Sequence, residues 1–178
     1  MNNSKFISKL LDPNGTVLDL GCGEGNLLES LSKDLGIKGF GIEIGNSNIQ
    51  HCLEKGLNII QQDIDDGLEN IGTKSFDTVT LSETIHVLKK PDQALKEIIR
   101  IGNNSIVTIP NFAHWWSRLS LLINGRMPLS ESHPQSWYES ENVHLCTLKD
   151  FEDLCDNLNI NILDRILISS SSHDAKYL

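Results

Sequence analysis

The sequence predicts a single α/β domain with a doubly wound, mostly parallel sheet and helices on both faces. Its 178 residues are 39% apolar and 22% charged, which is the composition of one ordinary globular domain. Short apolar runs alternate with segments of helical periodicity, a pattern typical of βα units and a parallel sheet. We expect the domain to span residues 1–178, with a core of about 14–168 and a tail of 169–178.

The apolar runs are the predicted strands. Each of the first five is short and bounded by glycine or polar residues, and a sixth run precedes a serine-rich tail. The six predicted strands are Thr16 to Leu20, Gly39 to Ile44, Leu57 to Gln61, Phe76 to Ser82, Ser105 to Ile109 and Ile160 to Ile168.

Helix start and stop signals lie between these strands. Asn26 and Glu29 have the spacing of a capping box, and Gly36 is the predicted end of that helix. Further helices are predicted from Asn46 to Gly56, from Pro91 to Gly102, from Trp115 to Gly125 and after the Thr147–Asp150 cap.

Charge and cysteine usage exclude several classes of protein. Fifteen Lys and Arg against 24 Asp and Glu give a net charge of -9, which disfavours a nucleic-acid partner. The four cysteines are scattered, without a metal-ligand spacing, and therefore suit a reducing cytoplasm. Lysines interrupt the first apolar residues, and no apolar run is long enough to cross a bilayer. We expect a cytoplasmic protein with no metal site and no membrane association.

A glycine turn follows the first strand and opens the first helix. Gly21 and Gly23 allow close approach of backbone to a ligand, although such a turn also occurs as a plain tight connection. Asn26 occupies the place of the third glycine of the dinucleotide fingerprint, so a pyrophosphate is less favoured. Asp19 would repel a pyrophosphate and attract an ammonium group. S-adenosylmethionine has an ammonium group, a sulfonium cation and no phosphate, and is the predicted ligand.

Acidic residues also follow the second and third strands. Glu43, 22 residues after Gly21, is placed to accept hydrogen bonds from both ribose hydroxyls. Asp63 is placed to accept from an adenine amino group, with Ile44 and Ile64 as apolar walls. A solvated strand-end charge is the alternative for Glu43, and an ordinary loop residue is the alternative for Asp63.

These segments resemble the class I S-adenosylmethionine-dependent methyltransferases, which have a Rossmann-like fold. The run from Asp19 to Gly25, including Cys22, is similar to their first motif, and Glu43 and Asp63 are similar to the second and third. Phe76 to Ser82 is similar to their fourth strand. The resemblance implies that Ser82, at the end of this strand, lies along the methionine part of the cofactor.

The second half of the chain closely resembles the family of the methionine biosynthesis protein MetW. The matching segments are Ile109 to Trp115, Gly125 to Pro128, Gln135 to Tyr138, Asn142 to Thr147 and Asp150 to Cys155. The resemblance implies a protein that binds S-adenosylmethionine or S-adenosylhomocysteine and supports or regulates homoserine O-acyltransferase, an α/β-hydrolase-fold enzyme. Class I folds usually close with an antiparallel pair of strands, of which only Ile160 to Ile168 is evident. We therefore expect a truncated chain or a partner over the sheet edge.

The alternative function is a methyltransferase that acts on a small molecule. The chain has no G-x-S-x-G nucleophile elbow, so acyl transfer must occur on another chain. The histidines that could act as a base, His86, His114, His133 and His144, are more simply loop or packing residues, and the sequence assigns no catalytic residue.

The segment from Arg126 to Leu145 has no periodic pattern. Arg126, Trp137 and Tyr138 suit either an interface with the partner or a lid over the cofactor, with plain packing as a third possibility.

Overall fold

The computed structural model describes residues 3–127 and 144–168, together with the backbone of 175–177. Its contacts divide the chain into two compact units, residues 1–108 and 109–178. The single-domain organisation stays a prediction. The elements of the first unit are α1 Ser4–Ile7, β1 Thr16–Leu20, α2 Asn26–Leu35, β2 Lys38–Glu43, α3 Asn46–Glu54, β3 Asn58–Gln61, β4 Phe76–Ser82, α4 Pro91–Ile101 and β5 Gly102–Thr108.

The first unit is built on a five-stranded sheet in the order β3-β2-β1-β4-β5, and every neighbouring pair is parallel. Together with the flanking helices this confirms the predicted fold class. The chain moves outward from β1 to β3 on one side and then returns to place β4 on the other side of β1. The carboxyl ends of β1 and β4 therefore lie at the switch point of the sheet, where open α/β sheets bind their ligands.

The core of this unit follows from the apolar runs that predicted the strands. Leu18 and Leu20 of β1 and Leu81 of β4 are fully buried because a central parallel strand is covered on both faces. Helix α2 buries Leu28 and Leu31, which lie one turn apart on one face of the helix.

The start of α2 corrects one prediction. The residue at the N-cap is Gly25, with a left-handed φ of 75°, and no side chain caps the helix. Asn26 is instead the first helical residue, and its Oδ1 accepts a hydrogen bond from Lys55 Nζ at 2.6 Å. The predicted Asn26–Glu29 capping box is therefore wrong. The left-handed Gly25 takes the cap position, and Glu29 forms an ion pair with Lys55 at 3.5 Å.

The second unit contains α5 Trp115–Asn124, α6 Leu148–Asn157, β6 Ile166–Ile168 and β7 Ala175–Tyr177. The cap predicted for α6 is present as a capping box, in which Thr147 Oγ1 accepts from the Asp150 N–H at 3.2 Å and Asp150 Oδ2 accepts from the Thr147 N–H at 2.9 Å. None of the helices in the described part of the chain is long and apolar enough to cross a membrane.

The sixth strand differs from its prediction. Only Ile166–Ile168 is a strand, and it pairs antiparallel with β7 in a two-stranded sheet of its own. The preceding residues make side-chain contacts in place of a strand ladder, since Asp164 Oδ1 accepts from the Arg165 N–H at 2.7 Å and Arg165 donates to Glu152 at 2.6 Å. The tail was expected to lack an antiparallel strand, and β7 corrects that expectation.

Candidate functional site

A cavity of about 570 Å³ lies at the carboxyl ends of β1 and β4. Its volume is within the range of about 300–1,000 Å³ that small-molecule sites occupy. All of its lining residues belong to the first unit. Six of the predicted site residues are in the lining, namely Asp19, Gly21, Cys22, Gly23, Asn26 and Ser82.

The glycine turn forms one wall of this cavity. Gly21 has a φ of 69°, and its N–H donates to the Ile42 carbonyl at 2.8 Å, which ties the turn to β2. Gly23 also has a positive φ of 54°, and a Cβ built at this position would meet no atom within 4 Å. The space beside the Gly23 backbone is therefore open to a ligand.

Asp19 is a carboxylate at the end of β1 and is only 2% exposed. Thr80 Oγ1 on the neighbouring strand donates to its Oδ1 at 2.6 Å, and Oδ2 receives no hydrogen bond from the described residues. Burial raises the pKa of Asp19 to about 7, against the lowering effect of the Thr80 hydrogen bond, and the charge of Glu43 raises it further. A buried carboxylate without a cation is unfavourable, so this position suits a ligand that carries a positive group.

Glu43 ends β2 and is 9% exposed. Its Oε2 accepts from the Gly23 N–H at 2.8 Å, and its Oε1 accepts from the N–H groups of Ile44 at 3.0 Å and Gly45 at 2.8 Å. A carboxylate has about four acceptor positions, so about one remains for a ligand hydroxyl. Glu43 therefore holds the glycine turn in place in addition to the ribose role that the sequence predicts. Glu43 is not among the residues that line the cavity.

Two thiols pack beneath the turn. Cys52 Sγ donates to the Gly23 carbonyl at 3.2 Å, and Cys22 packs beside it in the same apolar cluster. Burial raises the pKa of both thiols, so neither is a ready nucleophile at neutral pH.

The other predicted site residues lie outside the cavity lining. Asp63 Oδ1 accepts from the Asp65 N–H at 2.9 Å and so caps a short 3-10 turn, Ile64–Asp66. Ile44 is 60% exposed, and Ile64 lines a separate, smaller depression. Their adenine contacts, and the part of Gly25 in cofactor binding, stay predictions.

Sequence reasoning missed several polar residues of the lining. Glu83 directly follows Ser82, so its place after the fourth strand was the available signal. Asn3 and Ser4 precede the first strand, and no motif links them to the site. The structure connects them through hydrogen bonds of Asn3 Nδ2 to Glu83 Oε1 at 2.9 Å and of Ser30 Oγ to Ser4 Oγ at 3.3 Å.

None of the histidines that the structure describes lines this cavity. His114 and His144 are exposed residues of the second unit. His133, Trp137 and Tyr138 lie outside the described residues, and Arg126 is exposed. Across residues 3–127 and 144–168, no group of three or more His, Cys, Asp or Glu side chains is placed to hold a metal ion.

The fold of this protein matches that of solved proteins. A solved S-adenosylmethionine-dependent methyltransferase of Thermotoga maritima, described as a possible histamine N-methyltransferase, superposes with a TM-score of 0.69. It is 20% identical, and the match covers 98% of this chain and 81% of that one. The chain thus has the fold of the S-adenosylmethionine-dependent methyltransferases.

Sequence comparison then identifies the family of the chain. The model of the methionine biosynthesis protein MetW matches residues 2–177, and the chain belongs to the MetW family.

Two curated relatives extend the comparison. A "Bifunctional methionine biosynthesis protein MetXA/MetW" of Rhodopirellula baltica is 28% identical over 173 residues, which cover 92% of this chain and 28% of that protein. A "Ubiquinone biosynthesis O-methyltransferase" of Colwellia psychrerythraea is 38% identical over 96 residues, 48% of this chain and 38% of that protein. The chain therefore spans well under half of the length of each of these two relatives.

Proposed function

We propose that this protein binds S-adenosylmethionine or S-adenosylhomocysteine and through it supports or regulates homoserine O-acyltransferase. The observation that carries the proposal is a methyltransferase-fold cavity with a buried Asp19 in a chain of the MetW family. In this proposal the chain is a cofactor-binding partner, and the acyl transfer is performed by the other enzyme.

The residues at the cavity fit such a ligand. Asp19 has a free carboxylate oxygen for the ligand's ammonium group, and the open space beside Gly23 allows backbone to approach the ligand. In our assignment Glu43 accepts a ribose hydroxyl. S-adenosylmethionine supplies a transferable methyl group when it is bound, but no residue of the cavity is assigned to transfer chemistry.

The Rhodopirellula baltica relative supports the partner assignment. Its name places MetXA and MetW in one bifunctional chain, and this chain matches 28% of its length. Fusion keeps two modules at a high effective concentration, which favours modules that act together. The resemblance to the MetW family implies that the partner module is homoserine O-acyltransferase.

A binding experiment tests the ligand. Calorimetry is expected to detect S-adenosylmethionine and S-adenosylhomocysteine but not NAD, because Asp19 repels a pyrophosphate. Glu43→Ala should weaken binding by at least about 10-fold, because it removes the ribose acceptor, which contributes about 1.5–3 kcal/mol, together with the three backbone hydrogen bonds of this side chain, including the one that holds the glycine turn. Glu54→Gln, an exposed change on α3, is the control and should bind as the wild type does. Tight NAD binding would contradict the ligand assignment. Wild-type affinity of Glu43→Ala for S-adenosylmethionine would contradict the ribose role.

A second experiment tests the partner. The chain is expressed together with homoserine O-acyltransferase of the same organism, and the two should elute as one complex in size-exclusion chromatography. Acyltransferase activity should change when the chain is added and should respond to S-adenosylmethionine. Separate elution, with activity unchanged by chain and ligand, would refute the partnership.

The second candidate function is a small-molecule methyltransferase. The match to the ubiquinone biosynthesis O-methyltransferase over about half of this chain favours it. Conversion of S-adenosylmethionine to S-adenosylhomocysteine in the presence of an acceptor would support this candidate, and bound cofactor that stays unchanged with every acceptor would support the regulatory one.

A further inference from the structure

The charged residues that line the cavity all have the same sign. Asp19, Glu24 and Glu83 are in the lining, and no Lys, Arg or His is among the lining residues. Asp19 is almost fully buried and has a carboxylate oxygen that receives no hydrogen bond from the described residues. The lining therefore favours a ligand with positive charge, and the nearby Lys55 ammonium group contacts it at the Glu24 and Asn26 end.

Glu83 is an exposed residue whose backbone lies beside the glycine turn. Asp19 lies in β1, and Glu83 directly follows the neighbouring strand β4, in which Thr80 is in register with Asp19. Thr84 Oγ1 donates to the Gly21 carbonyl at 3.4 Å, and the Glu83 N–H donates to Thr108 Oγ1 at 2.9 Å. The side chain of Glu83 accepts from the neutral Asn3 amide, so no cation among the described residues neutralises it.

Glu24 has a different environment. Its Oε2 accepts from Asn26 Nδ2 at 3.4 Å, and its Oε1 is 4.0 Å from Nδ1 of His51. The ammonium group of Lys55 donates to the Glu24 carbonyl at 2.8 Å, so a cation already lies beside this residue. Asp19 is already assigned to the ammonium group of the ligand. Glu83 therefore remains as the carboxylate with no competing cation.

S-adenosylmethionine and S-adenosylhomocysteine differ in charge at one atom. The sulfur of S-adenosylmethionine is a sulfonium cation, and the sulfur of S-adenosylhomocysteine is a neutral thioether. Adenine, ribose, ammonium and carboxylate are common to both ligands, and their contributions cancel in the ratio of the two affinities. The ratio therefore measures how strongly the cavity favours the extra positive charge.

We infer that the cavity selects the sulfonium ligand over its neutral product and that Glu83 is the residue that determines this selectivity. The inference rests on the proposed function and makes it more specific. The occupied cavity would then contain mainly the charged methyl donor, S-adenosylmethionine. Loss of the methyl group would lower the affinity of the bound molecule for the cavity.

Calorimetry at pH 7.5 and low salt tests this with S-adenosylmethionine, S-adenosylhomocysteine and sinefungin, an analogue in which an amine-bearing carbon replaces the methylsulfonium. The wild type should bind the two cationic ligands at least about tenfold more tightly than S-adenosylhomocysteine. Glu83→Gln keeps an acceptor for Asn3 and should reduce the ratio to within about threefold, mainly through weaker binding of the cations.

Two control variants locate the effect. Glu54→Gln removes the same charge from an exposed position outside the cavity and should leave the ratio unchanged. If Glu24→Gln removes the selectivity and Glu83→Gln does not, the assignment to Glu83 is wrong. Equal or tighter binding of S-adenosylhomocysteine by the wild type would overturn the selectivity while leaving the proposed function in place. Failure of both ligands to bind would overturn the proposed function as well.

Discussion

Replacing Asp19 by Asn is expected to weaken S-adenosylmethionine binding about 100-fold or more and, at pH 8, to stabilise the ligand-free protein. The binding loss follows because the ammonium group would lose a buried carboxylate, and a hydrogen bond to a charged group contributes about 1.5–3 kcal/mol with a further penalty for the unpaired charge. The Asn side chain retains an oxygen for Thr80, so the fold around the site should persist.

The gain in stability follows from the pKa of Asp19. Burial raises this pKa from an ordinary 3.8 to about 7, so the folded protein holds the proton more tightly than the unfolded chain does. Stability from this group is therefore greatest at low pH, decreases as the pH rises from about 4 to 7, and is lost above 7. The difference corresponds to on the order of 4 kcal/mol, which is an upper limit for the gain in Asp19→Asn.

Thermal unfolding of both proteins between pH 4 and 8 measures this effect. The advantage of the Asn variant should grow with pH up to about 7 and then level off. A variant less stable than the wild type at pH 8 would show that the ionised carboxylate does not destabilise the fold.

Ligand binding by the wild type should have a pH optimum for the same reason. Below pH 7 the affinity should fall by up to about tenfold per pH unit, because the ligand must displace the proton on Asp19. Above about pH 8 it should fall again as the ligand's α-amino group loses its proton. Calorimetry across this range measures the profile, and an affinity that is constant from pH 5 to 7 would contradict the pairing of ammonium with Asp19.

Replacing Gly21 by Ala is expected to reduce the free energy of unfolding by about 3 kcal/mol and to abolish measurable ligand binding. The residue has a φ of 69°, and an L side chain in the left-handed region costs about 1–2 kcal/mol. The added Cβ would lie 2.5 Å from Thr84 Cγ2 and 2.6 Å from Thr84 Oγ1, and overpacking of this kind costs about 1–3 kcal/mol. Denaturant unfolding measures the sum.

Gly23→Ala is the matched control for this change. It has a similar φ of 54°, but its Cβ would meet no atom within 4 Å, so only about 1–2 kcal/mol should be lost. Adding Thr84→Ala to Gly21→Ala removes the two closest atoms and should recover part of the stability. Equal losses for Gly21→Ala and Gly23→Ala would mean that the contact with Thr84 contributes nothing.

The sequence predicted the fold well where local signals and burial agree. The strands Thr16–Leu20 and Phe76–Ser82 have the predicted bounds, because glycine or polar residues border each run on both sides. The sixth strand was overestimated because an apolar run such as that around Ile160 has no period of its own to separate a strand from an irregular segment. Its partner Ala175–Tyr177 lies beyond a serine run and has no strong apolar signal.

The candidate site was predicted in part. Asp19, Gly21 and Gly23 lie within five positions of one another along the chain. Their closeness in the cavity therefore follows from their closeness in the sequence. Glu83 and Asn3 are separated by eighty residues, and their hydrogen bond depends on how the N-terminal segment packs. No periodicity in the sequence encodes such a contact.

The sequence by itself determined that the chain forms a parallel α/β sheet, that a glycine turn follows its first strand and that a carboxylate stands before that turn. Those features depend on residue type and spacing over a few positions, and such short-range patterns determine the local backbone conformation. Only the tertiary structure decided that Asp19 is buried with a raised pKa, that Glu43 uses three of its acceptor positions on the backbone and that the cavity lining carries negative charge alone. Each of these depends on solvent exclusion and on neighbours from distant segments, and both arise only when the strands and helices pack together.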